Sequence, residues 1–426
     1  DQVDDELLVH EIGHYLTKLQ EDFMPLGLHV FGRDWSQPAI ATMLNSMAQG
    51  EAIDPLWQQQ LSASPAAELS SLLHALAGQY IAPGKGNDPI RTPEVLPTGR
   101  NFFALDGSLI PSRLAYQVGV ELAAKARAKT AQQAADYNSQ DTPADAIVLW
   151  ASDVVRDEGA MIAFGFDMLG VKPVWSSRGI VKSLQRLDIS NLQENGQPRV
   201  RHDAVFTTSG LFRDLYGSHM LLLERAVLMA LDASAERIHK DYPALSYALN
   251  ATLKPLGAMA NSGNEALAIN HVAARWVADT RAALQQGLGA ELAGKQAAYR
   301  VFGDAPGTYG AGVNRMVERS GSWQQRSEIA SVYMRRLGHA YGQNLHGEPV
   351  LATFKQRLSS INNTYLGRAS NLYGLLDNND SFDYLGGLSL AVETLTGSAP
   401  ENFVIYHPDT KNLSIEPLQV ALLAEL

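Results

Sequence analysis

His10-Glu11-Ile12-Gly13-His14, near the start of the chain, matches H-E-x-x-H. On a helix that spacing puts both imidazoles on one face, where they bind zinc while the glutamate serves as base. Leu8, Val9, Tyr15 and Leu16 would bury such a helix. The residues after His14 read Tyr, Leu, Thr, Lys, Leu, so the H-x-x-G-x-x-H extension is missing. A zinc metallopeptidase is one reading, a metal site of some other kind a second, and a histidine pair on the outer face of an amphipathic helix a third. Asp377, Asp380 and Asp383 offer carboxylates on one short polar stretch. They lack the glycine and distal glutamate of an EF-hand, and Asn/Asp turn formation explains them equally well. Gly84-Lys85-Gly86 is too short for a phosphate-binding P-loop, and no G-x-G-x-x-G follows a strand. No nucleotide site is therefore expected in this chain. Thr208-Ser209-Gly210 lacks the first glycine of a G-x-S-x-G nucleophile elbow.

The elements that would position these groups divide by type. Glu6–Gln20 has helical apolar spacing, and Pro25 and Gly27 end it. A mostly helical stretch follows to Gln79. Four prolines between Ala82 and Arg100 exclude a helix or central strand there. Beyond it, Ile110–Lys129 reads as a helix, Ala146–Trp150 as a buried strand and Glu158–Leu169 as a helix. Val171–Trp175 reads as a second strand, placed at an edge by Pro173, Ala204–Thr208 as a third and Tyr216–Leu231 as a helix. That alternation predicts a parallel α/β sheet, whose ligands sit beyond the strand carboxyl ends. Ser152, Asp153 and Arg156, then Ser176, Ser177 and Arg178, then Ser209, Arg213 and Asp214 would rim that pocket. Helix capping and ordinary loop polarity account for the same residues. Asp232–Gln296 is helical, Val301–Gly312 with its four glycines reads as a loop, and Ser327–Leu337 is a helix. Ser359–Leu376 carries no clear pattern. Leu388–Leu395 reads as a helix and Phe403–Tyr406 as a strand. The expected class is α/β and multi-domain: a parallel α/β unit flanked by largely helical regions. Its parts are a helical region 1–95, the α/β unit 96–240, a helical region with a Gly-rich loop 241–345, and an α+β region 346–426.

Composition narrows the function classes. Of 426 residues, 46% are hydrophobic, and 34 basic against 45 acidic side chains leave a net charge of −11. A duplex-binding protein normally carries a basic face, so no nucleic-acid partner is expected from this charge balance, which averages over any local patch. With no cysteine, any metal must be handled by His, Asp and Glu, and thiolate zinc or iron–sulfur sites are excluded. Apolar runs such as Met220–Leu223 are far below the roughly 18 residues of a membrane span. The sequence opens at Asp1 on an acidic stretch without a basic n-region, so no signal peptide is visible in it, and a cytoplasmic location is expected.

Several odd loops make sense together. Gly27-Leu28-His29-Val30-Phe31-Gly32, Leu96-Pro97-Thr98-Gly99-Arg100-Asn101-Phe102 with Ile110-Pro111-Ser112, and Leu169-Gly170-Val171-Lys172-Pro173-Val174-Trp175 come in order. Ser209-Gly210-Leu211-Phe212-Arg213-Asp214, Arg300-Val301-Phe302-Gly303 with Pro306-Gly307-Thr308-Tyr309-Gly310-Ala311-Gly312, and Asp377 to Gly387 follow. This series resembles the large subunits of the cobaltochelatase and magnesium-chelatase family. The resemblance implies the macrocycle-binding catalytic portion of a tetrapyrrole metal chelatase, with Co2+ or Mg2+ as substrate metal and cobalt insertion into a corrin precursor as the first expectation. It implies partner AAA+ subunits that hydrolyse ATP, a ligase forming nitrogen–metal bonds, and a subunit longer than this chain. Within its motifs Asp377 and Asp380 are the candidates for catalysis, and Arg100, Asn101, Arg213, Asp214 and Tyr309 for substrate. Asp153 joins the substrate set from its strand end, His202 (catalysis) and His219 (metal) are added because they flank the Ser209–Asp214 loop, and His10 and His14 stay metal candidates from H-E-x-x-H. The family's segment before Leu375 is rich in His and acids, whereas Gly367–Gly374 here is not. A diverged tetrapyrrole-binding or dechelating paralogue is the alternative within the resemblance.

Overall fold

The computed structural model describes residues 5–23, 26–27, 29–48, 50, 52–86, 89–90, 93–103, 107–134, 142–177, 179–189, 192–194, 197–370, 374–377, 379 and 381–425. The chain divides into two compact units, Asp1–Asp106 and Gly107–Leu426.

The first unit holds helices Asp5–Phe23, Gln37–Ala48 and Pro55–Leu76. Pro55 suits the first helical position, and the Asp54 carboxylate caps it by accepting the Leu56 N–H at 2.8 Å. Ile40, Leu44, Met47, Leu61, Val95 and Leu96 form a small core. Buried Glu68 ties two of the sequence motifs together. Its carboxylate accepts from Gly32 N–H at 2.7 Å and Thr98 Oγ1 at 2.5 Å, and His29 Nε2 lies 2.9 Å away. Burial alone would raise its pKa, but these donors outweigh burial and hold it below the usual value. Gly99 crosses this helix with φ +85°, and a Cβ there would stand 2.7 Å from the Glu68 backbone. Only glycine fits.

The second unit is built on one eight-stranded sheet. Its strands in chain order are β1 Ala144–Leu149, β2 Asp203–Thr208, β3 Val301–Gly303, β4 His339–Gly342, β5 Leu345–Pro349, β6 Ile361–Arg368, β7 Glu401–Tyr406 and β8 Ser414–Pro417. Their spatial order is β5-β4-β3-β2-β1-β6-β7-β8. The five central strands β3, β2, β1, β6 and β7 are parallel, and the edges are antiparallel. Chain order reverses between β1 and β6, which makes that crevice the topological switch point of a doubly wound sheet. β1 and β2 are buried at every residue, as parallel strands covered on both faces must be. Helix Ala160–Met168 is wholly buried. Gly119 of helix Arg113–Ala134 lets the two helices touch, since a Cβ there would lie 2.6 Å from Ala163 Cβ.

The α/β expectation holds, with three corrections of detail. Val171–Trp175 is a strand, but it pairs antiparallel with Val181–Arg186 in a separate two-stranded ribbon. Pro173, which lacks a donor, is tolerated there. Ser176 and Ser177 therefore do not belong to the rim of the parallel sheet, and Arg178 lies outside the described residues. Val301–Gly303, read as loop, is a parallel strand. The unpatterned stretch after Ser359 contains β6, at the centre of the sheet. Its polar side chains are paired across strands: Asn363 Nδ2 donates to Asp145 Oδ1 at 2.8 Å and Thr364 Oγ1 to Asn402 Oδ1 at 2.7 Å. Strands from 144 to 417 share this one sheet.

Candidate functional site

The loops that leave the carboxyl ends of β1, β2, β3, β6 and β7 carry two buried charged groups. The first lies where β2 and β3 end. Ser209 Oγ caps helix Gly210–Leu215 by accepting the Phe212 N–H at 3.2 Å. Gly210 lets that helix start against the Gly-rich loop, since a Cβ would meet Thr308 O and the Tyr309 ring at 2.7 Å. Arg213 then reaches Asp304, with Nη1 2.9 Å from Oδ1, and also donates to Ala305 O at 2.8 Å. Its Nε donates to Asp214 Oδ1 at 2.9 Å. Tyr309 O–H donates to Asp214 Oδ2 at 2.6 Å, with its ring 5.4 Å from the Arg213 guanidinium carbon. Asp304 is fully buried, and burial, against the Arg213 charge, pushes its pKa up to about 6. Its Oδ2 has no hydrogen-bond partner among the described residues. Asp383 closes the loop by accepting from Ala311 N–H at 2.7 Å and Asn314 N–H at 3.0 Å.

The second group lies at the switch point. Asp153 and Asp157 sit on helix Ala151–Asp157 directly after β1, and His407 directly follows β7. His407 Nε2 is 2.7 Å from Asp157 Oδ2. Burial lowers the His407 pKa, but the Asp157 hydrogen bond and charge outweigh it, and the net direction is up. Asp153 is 5% exposed and its Oδ2 lacks a partner among the described residues. Burial first, then the Asp157 charge, raises its pKa to about 7. A carboxyl that titrates near neutrality can hold or release a proton at working pH.

The candidate residues divide among these places. Arg213, Asp214 and Tyr309 come together, and Asp153 belongs to the switch-point group. Asp377 is exposed and caps its own turn by accepting the Gly374 N–H at 2.7 Å; Asp380 lies outside the described residues. His202 precedes β2, at the opposite, amino end of the sheet, with Nδ1 2.8 Å from Asp145 Oδ2. His219 is buried with Nε2 3.1 Å from Ile110 O, and burial lowers its pKa. Arg100 and Asn101 are exposed in the first unit, where Asn101 opens a short strand paired with Pro83–Lys85. His10, Glu11 and His14 are exposed on helix Asp5–Phe23, with the imidazole rings 5.5 Å apart. Leu8, Val9, Tyr15 and Leu16 are exposed too, so the expected burial of that helix is not found. No group of three metal-ligating side chains occurs among the described residues, and the peptidase reading has no third ligand there. Sequence reasoning missed Asp304 and His407. Asp304 sits one residue beyond the quoted Arg300–Gly303 motif, which was the available signal; nothing marks His407.

The sequence of this scaffold matches a family model described as CobN/Magnesium Chelatase over residues 51–426. The chain belongs to the CobN/magnesium chelatase family. It is 31% identical over 380 residues to the aerobic cobaltochelatase subunit CobN of Pseudomonas aeruginosa, covering 88% of this chain and 27% of that relative. It is 31% identical over 319 residues to the chloroplastic magnesium-chelatase subunit ChlH of Oryza sativa subsp. japonica, covering 74% and 20%. The catalytic subunit of cobaltochelatase from Mycobacterium tuberculosis shares the fold, with a TM-score of 0.69 at 24% identity, over 93% of this chain and 36% of that one. The chain thus spans about a quarter of the length of the curated relatives it matches. Among the described residues, no helix is long and apolar enough to cross a membrane.

Proposed function

We propose that this chain is a macrocycle-binding catalytic portion of an ATP-dependent tetrapyrrole metal chelatase, with cobalt insertion into a corrin precursor as its reaction. Separate AAA+ subunits would hydrolyse the ATP, in keeping with a chain that lacks a P-loop. The observation that carries the reading is the pair of buried carboxyls, Asp153 and Asp304, at the carboxyl edge of a sheet shared with a cobaltochelatase catalytic subunit.

Insertion exchanges two ring N–H protons for one divalent cation, so the protein must accept protons near neutral pH. Asp153, with its pKa raised to about 7, and the Asp157–His407 pair suit that task as a proton relay. Tyr309, on a glycine loop stapled by Arg213 and Asp383, offers a flat face to the ring. Asp377 and Asp380 would supply metal-facing carboxylates, an assignment that rests on the family motif.

Absorbance titration of the purified chain with protoporphyrin, haem and hydrogenobyrinic acid diamide tests the reading. A saturable shift of the macrocycle band supports it, and no perturbation by any of the three overturns it. Reconstitution of the full-length subunit with ATPase subunits and either Co2+ or Mg2+ then decides the metal. Release of metal from a loaded macrocycle, without insertion, would favour a dechelating paralogue.

A further inference from the structure

Beside the Gly-rich loop lies a pocket of about 260 Å³, bounded by Gly312, Arg315, Met316, Arg319, Val332 and Arg336. Its described lining residues include three guanidinium groups and no carboxylate. Arg315 belongs to helix Val313–Val317 and Arg319 follows one turn later. Like charges at that spacing repel. Among the described residues neither side chain has a hydrogen bond or ion pair, although most other arginines of this unit are paired with acids. Arg336 donates through Nη2 to Tyr309 O at 2.7 Å and through Nε to Gly310 O at 3.1 Å. The same guanidinium therefore lines the pocket and holds the loop. Gly312 has φ +83°, and a Cβ there would press on Val332 at 3.0 Å and Arg336 at 3.5 Å.

Three arginines around one cavity, with no carboxylate among its described lining residues, favour an anion there. The cavity is far too small for a macrocycle. It suits one carboxylate arm, and the fork of an arginine matches a carboxylate bidentately. The loop joins the two places: Tyr309, exposed at its turn, and Gly312, at the pocket, are three residues apart.

We propose that Arg315, Arg319 and Arg336 bind a peripheral carboxylate of the macrocycle and so set its orientation over the Tyr309 loop. This rests on the chelatase reading. It makes Arg315 and Arg319 specificity residues, and Arg336 a residue that both binds and positions the loop.

The test is a fluorescence titration of the whole chain with deuteroporphyrin and with its dimethyl ester, for wild type and for R315Q/R319Q. Both arginines are exposed, so the variant keeps its fold, which its unchanged melting curve would verify. Wild type should prefer the diacid about tenfold or more, a margin typical of charge-assisted hydrogen bonds. The variant should lose that preference by weakening for the diacid alone. Equal wild-type affinity for both macrocycles, or a preference that survives in R315Q/R319Q, would overturn the carboxylate site while leaving macrocycle binding intact. A variant that binds both like wild type yet fails to assemble with ATPase subunits would also overturn it, and would mark the arginines as a protein contact. Binding of neither macrocycle by wild type would remove this inference, and the chelatase reading would fall with it only if hydrogenobyrinic acid diamide, protoporphyrin and haem also leave no perturbation.

Discussion

Replacing Asp153 with asparagine should stabilise the protein at alkaline pH and change it little at acid pH. The carboxyl is buried after β1, one oxygen has no partner among the described residues, and its pKa moves from 3.8 to about 7. A raised carboxyl pKa means that the folded state holds a proton the unfolded chain has released. Its stabilising contribution is complete below 3.8 and is lost as pH climbs through about 7. At roughly 1.4 kcal/mol per pKa unit, the whole shift corresponds to about 4 kcal/mol. Between about pH 5 and about pH 8 the wild type should therefore lose roughly 3 kcal/mol from this group, and Asp153→Asn should not. His407, also raised by its neighbours, Asp153 among them, tilts both curves the same way, so the difference between the curves reports Asp153 together with its coupling to His407. Urea unfolding of both proteins across that range measures it. Parallel curves would refute the buried, protonated carboxyl and with it the proton-handling role.

Arg213→Ala should cost about 3–5 kcal/mol by leaving Asp304 buried without its ion-pair partner, and adding Asp304→Asn should recover part of that loss; unfolding free energies of the three proteins decide it. Gly210→Ala should destabilise by about 1–3 kcal/mol, because the new methyl group meets Thr308 O at 2.7 Å; an unchanged melting temperature would contradict that close approach. His10→Ala with His14→Ala should leave stability within about 0.5 kcal/mol and metal content unchanged, since both rings are exposed without a third ligand among the described residues. Stoichiometric zinc lost by that double variant, together with casein cleavage by the wild type, would restore the peptidase reading.

Parts of the sheet are legible because burial on both faces writes apolar runs. β1 and β2 stand out for that reason. β6 is equally central but reads INNTYLGR, and its polar side chains become acceptable only once Asp145 and Asn402 lie beside them. The ribbon strand Val171–Trp175 has the composition of a sheet strand, and only its partner at Val181–Arg186 shows that it belongs elsewhere.

The site divides the same way. Ordered short motifs, a charge balance unsuited to duplex binding, and the lack of cysteine and P-loop are properties of the chain alone. They settle the family and the kinds of ligand atom it can offer. Which of those atoms meet is a tertiary matter. Arg213 and Asp304 are 91 residues apart, and Asp157 and His407 are 250 apart. The doubly wound order brings β7 within one strand of β1 and sets β2 beside β3, which converts these separations into contacts. Burial then supplies what no spacing records: a carboxyl such as Asp153 titrates near neutrality only when the fold has removed its water.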